Sequence, residues 1–434
     1  MRHWFLKKEK ENNVDATADG MRFSDVAKKL GRFFSPEPQK EKVLRQEDFA
    51  AAGDVYYANV SAGYKVAQRF LWLVFILFMI FSIFFHHKDI TYDNFFYLMR
   101  DFSSAVDAET IYYETVSYES SPGQRFALYR GGIATVSPSR ISAFTTTGRR
   151  TLQMSSDFSA PFVVCSDQYM LVYDTAGKSF AVYNSFSRIY SETLSDPITN
   201  ACFAEDGSFA VVTRDAGHRA VVHVYYPEDG FKRDTYRWNA YMFDIAMDSK
   251  SDRIAFVFYG AGDGTGETTV SLRAKSTLEE ITSVTLRGEF PLDCGFMENN
   301  KFAIVTDGAC RIFDQSLEED TAEVCEYGGG SITGFSITDE GVAVSLINAS
   351  KNEVIAFDGG GTLLYHDMVL ANVTDIGIAS EYLFMQTETE IVRLNVKTGL
   401  EERLPCSNGK MLLYGADTAV VCGASKAQYL IFDR

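Results

Sequence analysis

The sequence predicts an all-β protein: a β-propeller of eight blades, preceded by a single transmembrane helix and a short cytoplasmic tail. Three observations lead there. Residues 70–85 form an apolar run without a single charge. After it, a short β-rich motif recurs at intervals averaging about 41 residues. The charge divides at the same run: residues 1–69 hold 13 Lys+Arg and 10 Asp+Glu, whereas residues 86–434 hold 28 and 48.

The whole chain of 434 residues has a net charge of −17, 46% hydrophobic and 23% charged residues. That balance excludes global disorder. The acidity excludes nucleic acid as the main partner, because phosphate binding needs a basic surface.

The run Phe70-Leu-Trp-Leu-Val-Phe-Ile-Leu-Phe-Met-Ile-Phe-Ser-Ile-Phe-Phe85 spans about 24 Å as a helix, and Val66 to Arg69 add a turn. It begins too far along the chain, and runs into His86-His87-Lys88 too directly, to read as a signal peptide. A buried core helix would have a polar face, which this run lacks. The span is assigned to 66–87. Lys40, Lys42 and Arg45 enrich the N-terminal flank in positive charge, and Lys65 and Arg69 lie nearest the run. That places the N-terminus in the cytoplasm and the acidic bulk outside, at the plasma membrane.

Residues 1–65 are the cytoplasmic tail. Phe23, Val26, Ala27, Leu30, Phe33 and Phe34 recur at helical spacing, with Arg22, Lys28, Lys29 and Arg32 on the rest of the surface and Pro36 ending the pattern. A basic amphipathic helix beside a membrane anchor reads as lying on the inner leaflet or docking a cytoplasmic partner. A nascent helix in a disordered tail is the plainer alternative. Beyond the span, residues 88–108 read as a juxtamembrane helix or linker, with Phe95, Leu98, Met99 and Phe102 on one face.

Residues 109–434 carry the repeats. Apolar runs recur at Gly132–Val136, Gln168–Val172, Ser208–Val212, Arg253–Val257, Lys301–Val305, Gly341–Ser345, Glu381–Met385 and Asp417–Val421. A second element follows each and often ends in Asp or Asn before a turn, as in Arg311-Ile-Phe-Asp314 and Val392-Arg-Leu-Asn395. A carboxylate or amide there bonds the turn backbone, and a glycine such as Gly399 takes the positive φ. Four short strands per period of about 41 residues mark a propeller. Eight anchors give eight blades, or seven if the short first unit is an irregular cap. The last unit has room for three strands only. The alternating segment Glu109–Ser117 is expected to supply its fourth and close the ring.

The basic tail, the span, the Thr91-Tyr-Asp-Asn-Phe-Phe-Tyr-Leu-Met-Arg-Asp101 segment and the Phe-Asp and Asn-x-x-x-Gly turns together resemble a family of Firmicute-type bacterial single-pass membrane proteins. Those proteins carry extracytoplasmic propellers of the quinoprotein-like or WD-repeat-like kind. The resemblance covers roughly residues 65–434 and implies architecture and place, with no activity attached. Quinoprotein relatives carry a Trp in nearly every blade. Here Trp238 is the only one beyond the span, which argues against a quinone cofactor. No cofactor is expected.

Motifs with chemistry are few. The seven cysteines form no Cys-x-x-Cys pair, and an odd number without framework spacing reads as buried small hydrophobes rather than a disulfide scaffold. Ser407-Asn-Gly-Lys410 and Lys397-Thr-Gly399 match motifs of penicillin-interacting enzymes in the wrong order and read as chance. His218 and His223 fall on opposite faces of a continuous strand and so do not form a joint metal site. The glycine-rich loop 260–267 reads as a flexible, protruding hairpin, in which Asp263 and Glu267 are the candidate ligands for a cation. No catalytic residue and no metal site are assigned.

These features point to a non-catalytic, membrane-anchored scaffold that binds a protein, ligand or envelope polymer outside the cell. An envelope hydrolase or lyase using acids at the channel mouth, and a single-span sensor, are the alternatives. The topology has a direct check. Protease added outside intact cells should remove the domain beyond residue 88, and full protection of that domain would reverse the orientation.

Overall fold

The computed structural model describes residues 49–85, Tyr92, and 115–432 except 205, 249–251, 263, 349, 350 and 371. The chain divides into two compact units, Met1–Phe95 and Phe96–Arg434. In the first, the described structure is a helix of 37 residues, Phe49–Phe85. Its segment Tyr64–Ser82 has a mean hydropathy of 1.7 over 19 residues, none of it buried, and is long and apolar enough to cross a membrane. The helix begins well before the apolar run because Ala50 to Ala52, Ala58 and Ala62 favour helix and no proline interrupts them. The amphipathic pattern at 22–34 and, apart from Tyr92, the segment 88–108 lie outside the described residues.

The second unit contains eight four-stranded antiparallel sheets. Blades 1 to 7 occupy 125–155, 161–193, 198–238, 241–287, 291–326, 331–369 and 375–405, and blade 8 occupies 410–431. In blades 1 to 7 the strands a to d run in chain order from the axis outward, and blade 8 follows the same order for its first three. The a strands touch their neighbours in sequence, and that of blade 8 (Lys410–Leu413) meets that of blade 1 (Arg125–Tyr129), so the ring closes. The fourth strand of blade 8 is Thr115–Ser117, paired antiparallel with Lys426–Gln428. The last three residues of the alternating segment therefore close the ring as its pattern predicts, its residues 109–114 lying outside the described residues, and the blade count is eight.

All eight apolar runs become b strands, such as Gly132–Val136, Phe209–Thr213 and Thr418–Cys422, each with every residue buried. Their continuity has a simple cause. A b strand is covered on both faces by the adjacent blades, so neither face needs polar residues. Side chains alternate between two seams: Ile133 packs against Val420 of blade 8, whereas Ala134 packs against Val172 of blade 2. Eight apolar clusters fill the eight seams. The seam of blades 2 and 3 is aromatic, with Phe209 stacked on Tyr225 at 4.7 Å and Tyr190 on Phe231 at 4.3 Å. The d strands face solvent and alternate, as in Glu401–Pro405.

The turns follow the acid-and-glycine rule. Asn395 Oδ1 accepts the backbone N–H groups of Lys397 and Thr398, both at 3.0 Å, and Gly399 takes φ +73°. Asp358 Oδ1 accepts the N–H of Thr362 at 2.7 Å.

Two sets of connections end up on opposite faces of the ring. The a–b and c–d hairpins define a lower face; the b–c hairpins and the d–a links between blades define an upper one. Lys397-Thr-Gly399 is a lower-face turn, and Ser407 lies in an upper-face link. The two enzyme-like motifs are thus separated by the height of a blade.

Val116 is 2% exposed and joins the core between blades 8 and 1, whereas Ser117 faces solvent. Val116→Asp should bury an unpaired carboxylate at the closure, costing about 3 kcal/mol. Thermal denaturation should show a fall of roughly 4–5 °C. Ser117→Asp should stay within about a degree; equal losses from both would remove the closing strand's role.

A candidate binding face on blades 3 to 5

Four of the a strands carry an extra residue near their upper ends. The register steps from Ile198 to Asn200, from Met242 to Asp244, from Pro291 to Asp293 and from Ile332 to Gly334. Thr199, Phe243, Leu292 and Thr333 are the bulged residues. A bulge kinks the strand and re-aims its side chains. In blade 4 it brings Phe243 to the surface, where it is 38% exposed beside Tyr241 (48%) and Phe290 (36%). Phe290 lies edge-on to Phe243 at 5.1 Å and to Tyr259 at 4.9 Å. The Arg219 guanidinium covers the Tyr241 ring at 4.5 Å. Phe162 of blade 2, under the Arg125 guanidinium at 4.6 Å, is also exposed near the upper end of its a strand. Exposed aromatic rings concentrate on this face.

The residues after the first three bulges are polar and meet one another. Asn200 Nδ2 donates to Asp244 Oδ1 at 2.7 Å. The Cys294 N–H is shared between Asp244 Oδ2 at 3.1 Å and Asp293 Oδ1 at 2.9 Å. Asp244 also accepts the N–H of Ile245 at 2.8 Å. The two carboxyls hydrogen-bond each other. Burial, and then the neighbouring charge of Asp244, raise the Asp293 carboxyl well above the usual carboxylate range, to about 7. Below about pH 7 Asp293 therefore holds a proton beside Asp244. In blade 7 the corresponding acid, Asp375, accepts the N–H of Met411 at 3.1 Å and pairs with Lys410 at 2.9 Å. These links tie blade 3 to 4, 4 to 5 and 7 to 8.

The chemistry on offer is recognition. An acid pair set beside exposed aromatic rings accepts hydrogen bonds from amide, amine or guanidinium groups and buries apolar side chains next to them. Elsewhere on the ring, a cavity of about 330 Å³ opens at the seam of blades 8 and 1, lined by Ser120, Gln124, Asn408 and Gly409. Phe126 is its one aromatic.

The sequence-derived candidates fall elsewhere. The glycine-rich stretch 260–267 is the tip of a hairpin, as its sequence suggests: strands Arg253–Gly262 and Thr265–Ala274 pair as far as Gly262 and Thr265. Tyr259 covers Gly266 where a side chain would otherwise sit. Asp263 lies outside the described residues. Glu267 folds its carboxylate over Gly262 toward Arg287, 3.6 Å away, instead of into the turn. His218 bonds Asp215 at 3.1 Å, and His223 sits between Thr213 at 3.2 Å and Thr235 at 3.0 Å, so the two histidines do not meet. Among the described residues no cluster of three or more His, Cys, Asp and Glu is placed to hold a metal. The Asp244–Asp293 pair was missed because its partners lie 44 and 49 residues apart, on different blades. The signal within reach was the Phe-Asp and Leu-Asp dipeptide opening two a strands.

Comparison with known proteins follows the architecture. Residues 108–402 match the model of a Family of unknown function (DUF5711). The chain belongs to that family. No curated protein matches it. Among solved structures, the C-terminal WD40 domain of Sif2 is similar at 12% identity and a TM-score of 0.51, over 74% of this chain and 97% of that one. Sqt1 of Chaetomium thermophilum, solved bound to the N-terminus of the ribosomal protein L10, is similar at 11% identity and a TM-score of 0.51, over 73% and 99%. Likeness at this identity is likeness of fold.

The proton on Asp293 makes the ring sensitive to pH. Its folded pKa is raised above the unfolded value, so the folded state binds more protons between about 4 and 7. Stability from this group is therefore full below that window and declines as pH rises through it. His223 acts oppositely, since burial and then Arg233 lower its pKa to about 4. Asp293→Asn keeps the hydrogen bonds and removes the titration. Melting curves at pH 5 and pH 8 should show the variant gaining several degrees on the parent at the higher pH, with the His223 effect cancelling between them. A gap that does not move with pH would remove the shared proton.

Proposed function

We propose that this protein is a membrane-anchored scaffold whose propeller binds a protein or peptide on its upper face, at blades 3 to 5. The observation that carries this reading is the exposed aromatic cluster of Tyr241, Phe243 and Phe290 beside the Asp244–Asp293 pair. Interfaces are built on such anchors: an aromatic residue supplies area at small entropic cost, and an adjacent polar group fixes orientation. The peptide seen on Sqt1 supports a protein ligand by analogy of fold.

The uncovered apolar segment Tyr64–Ser82 supports anchoring in the cell membrane. The charge asymmetry supports a cytoplasmic tail at 1–65, a span at 66–87, a linker at 88–108 and an extracytoplasmic domain from 109, at the envelope of a Firmicute-type bacterium. The tail helix around Arg22–Phe34 then meets the inner leaflet or a cytoplasmic partner.

A photo-crosslinker at position 243 or 290 in native membranes should trap one defined protein adduct. A crosslinker at Met368, exposed on the outer strand of blade 6, should trap none. Phe243→Ala and Phe290→Ala should each cost about 2 kcal/mol, roughly thirty-fold in affinity for the trapped partner. Equal adducts from all three positions, or glycan turnover lost on replacing Asp244, would overturn the reading.

A further inference from the structure

Two cysteines face each other across one ladder. In blade 5, strand c (Ala309–Phe313) and strand d (Glu323–Glu326) are antiparallel, and Cys310 lies directly opposite Cys325. The Tyr327 N–H donates to the Gly308 carbonyl at 3.0 Å in the same register. Hydrogen-bonded pairs alternate along such a ladder, so Cys310 and Cys325, two rungs on, form one as well. Cα atoms in such a pair lie about 5.5 Å apart, inside the range a disulfide requires, and the facing Cβ atoms, about 5 Å apart in such a rung, reach the roughly 4 Å of a disulfide by a small shift of the outer strand. Opposite residues also send their side chains to the same side of the sheet. Here both enter the core between blades 5 and 6, Cys310 fully buried and Cys325 9% exposed. Burial, and then the adjacent Cys325, push the Cys310 thiol up to about 12.

None of the other five cysteines faces a cysteine across a ladder. The place also matters. The d strand of blade 5 has four residues, the shortest outer strand of blades 1 to 7, at the end of a nine-residue link that begins after Phe313. An outer strand has one neighbour only, so few rungs hold it.

We infer that Cys310 and Cys325 are a built disulfide site that fastens the outer strand of blade 5 to its blade. The oxidant is a small-molecule or protein disulfide. The Cys325 thiol gives its proton to solvent, and the thiolate attacks one sulfur of the oxidant, releasing the first thiolate. Cys310, deprotonated in turn, attacks the Cys325 sulfur and releases the second. The two protons end on the two thiols released. With both thiols buried, exchange is slow in the closed ring and proceeds while strand d is unpaired, during folding or fraying. The site stands on the ladder geometry, independently of the binding face, and an oxidising compartment keeps it closed.

The test uses the full chain in detergent. It is incubated with oxidised glutathione at pH 8, both in buffer and in urea just below the unfolding midpoint. Free thiols are then alkylated in denaturant and peptides are weighed. The expected product joins the Cys310 and Cys325 peptides with the loss of two hydrogens. Reduction should lower the melting temperature by roughly 5 °C. Cys310→Ser and Cys325→Ser should each abolish both the link and the reduction-sensitive shift. Alkylation of both cysteines in both conditions, or glutathione held on Cys325 beside a free Cys310, overturns the site.

Discussion

A four-stranded sheet that is apolar on both faces cannot stand alone in water. Each blade is such a sheet, and each is made soluble only by the two blades that cover it. The constraint is circular. Removing any seam exposes two apolar faces, so the ring needs every seam filled, including the one between its last and first blades. Val116, Ile133 and Val420 meet at that last seam, and the closing strand comes from the N-terminal end of the domain. Stability is therefore shared round the circle rather than held in one core.

The same constraint decides where polar groups go. With the b and c strands committed to the seams, polar side chains are left to the hairpins, the d strands and the upper ends of the a strands. Next to the axis, a carboxylate has few waters and many backbone N–H groups within reach. Asp244 and Asp375 each take an N–H from the following blade, at 3.1 Å in both cases. Asp293 meets Asp244 there, and the low dielectric keeps a proton between them. The bulges that set this spacing also turn Phe243 outward. One backbone irregularity thus produces both halves of the proposed binding face.

Much of the fold was legible because its cause is local in sequence. A b strand buried on both faces is a short continuous apolar run, and eight such runs at a steady period count the blades. The Asn395 turn declared itself through the spacing of Asn and Gly. The glycines at 260–266 marked a hairpin, but their sequence did not show that cross-strand pairing runs to its tip or that the Tyr259 ring covers Gly266. Propensity describes a residue alone; pairing depends on its partner.

The amino-acid order by itself determined the apolar span, the charge divide, the strand count and the segment that closes the ring. These follow from composition and period, and a chain carries both before it folds. Only the tertiary structure decided which residues meet. Asn200, Asp244 and Asp293 come from three blades, and Cys310 faces Cys325 through one choice of register. A shift of one residue would turn either cysteine to the opposite side of its sheet. Contacts across blades depend on the curvature of the ring, which no single repeat encodes.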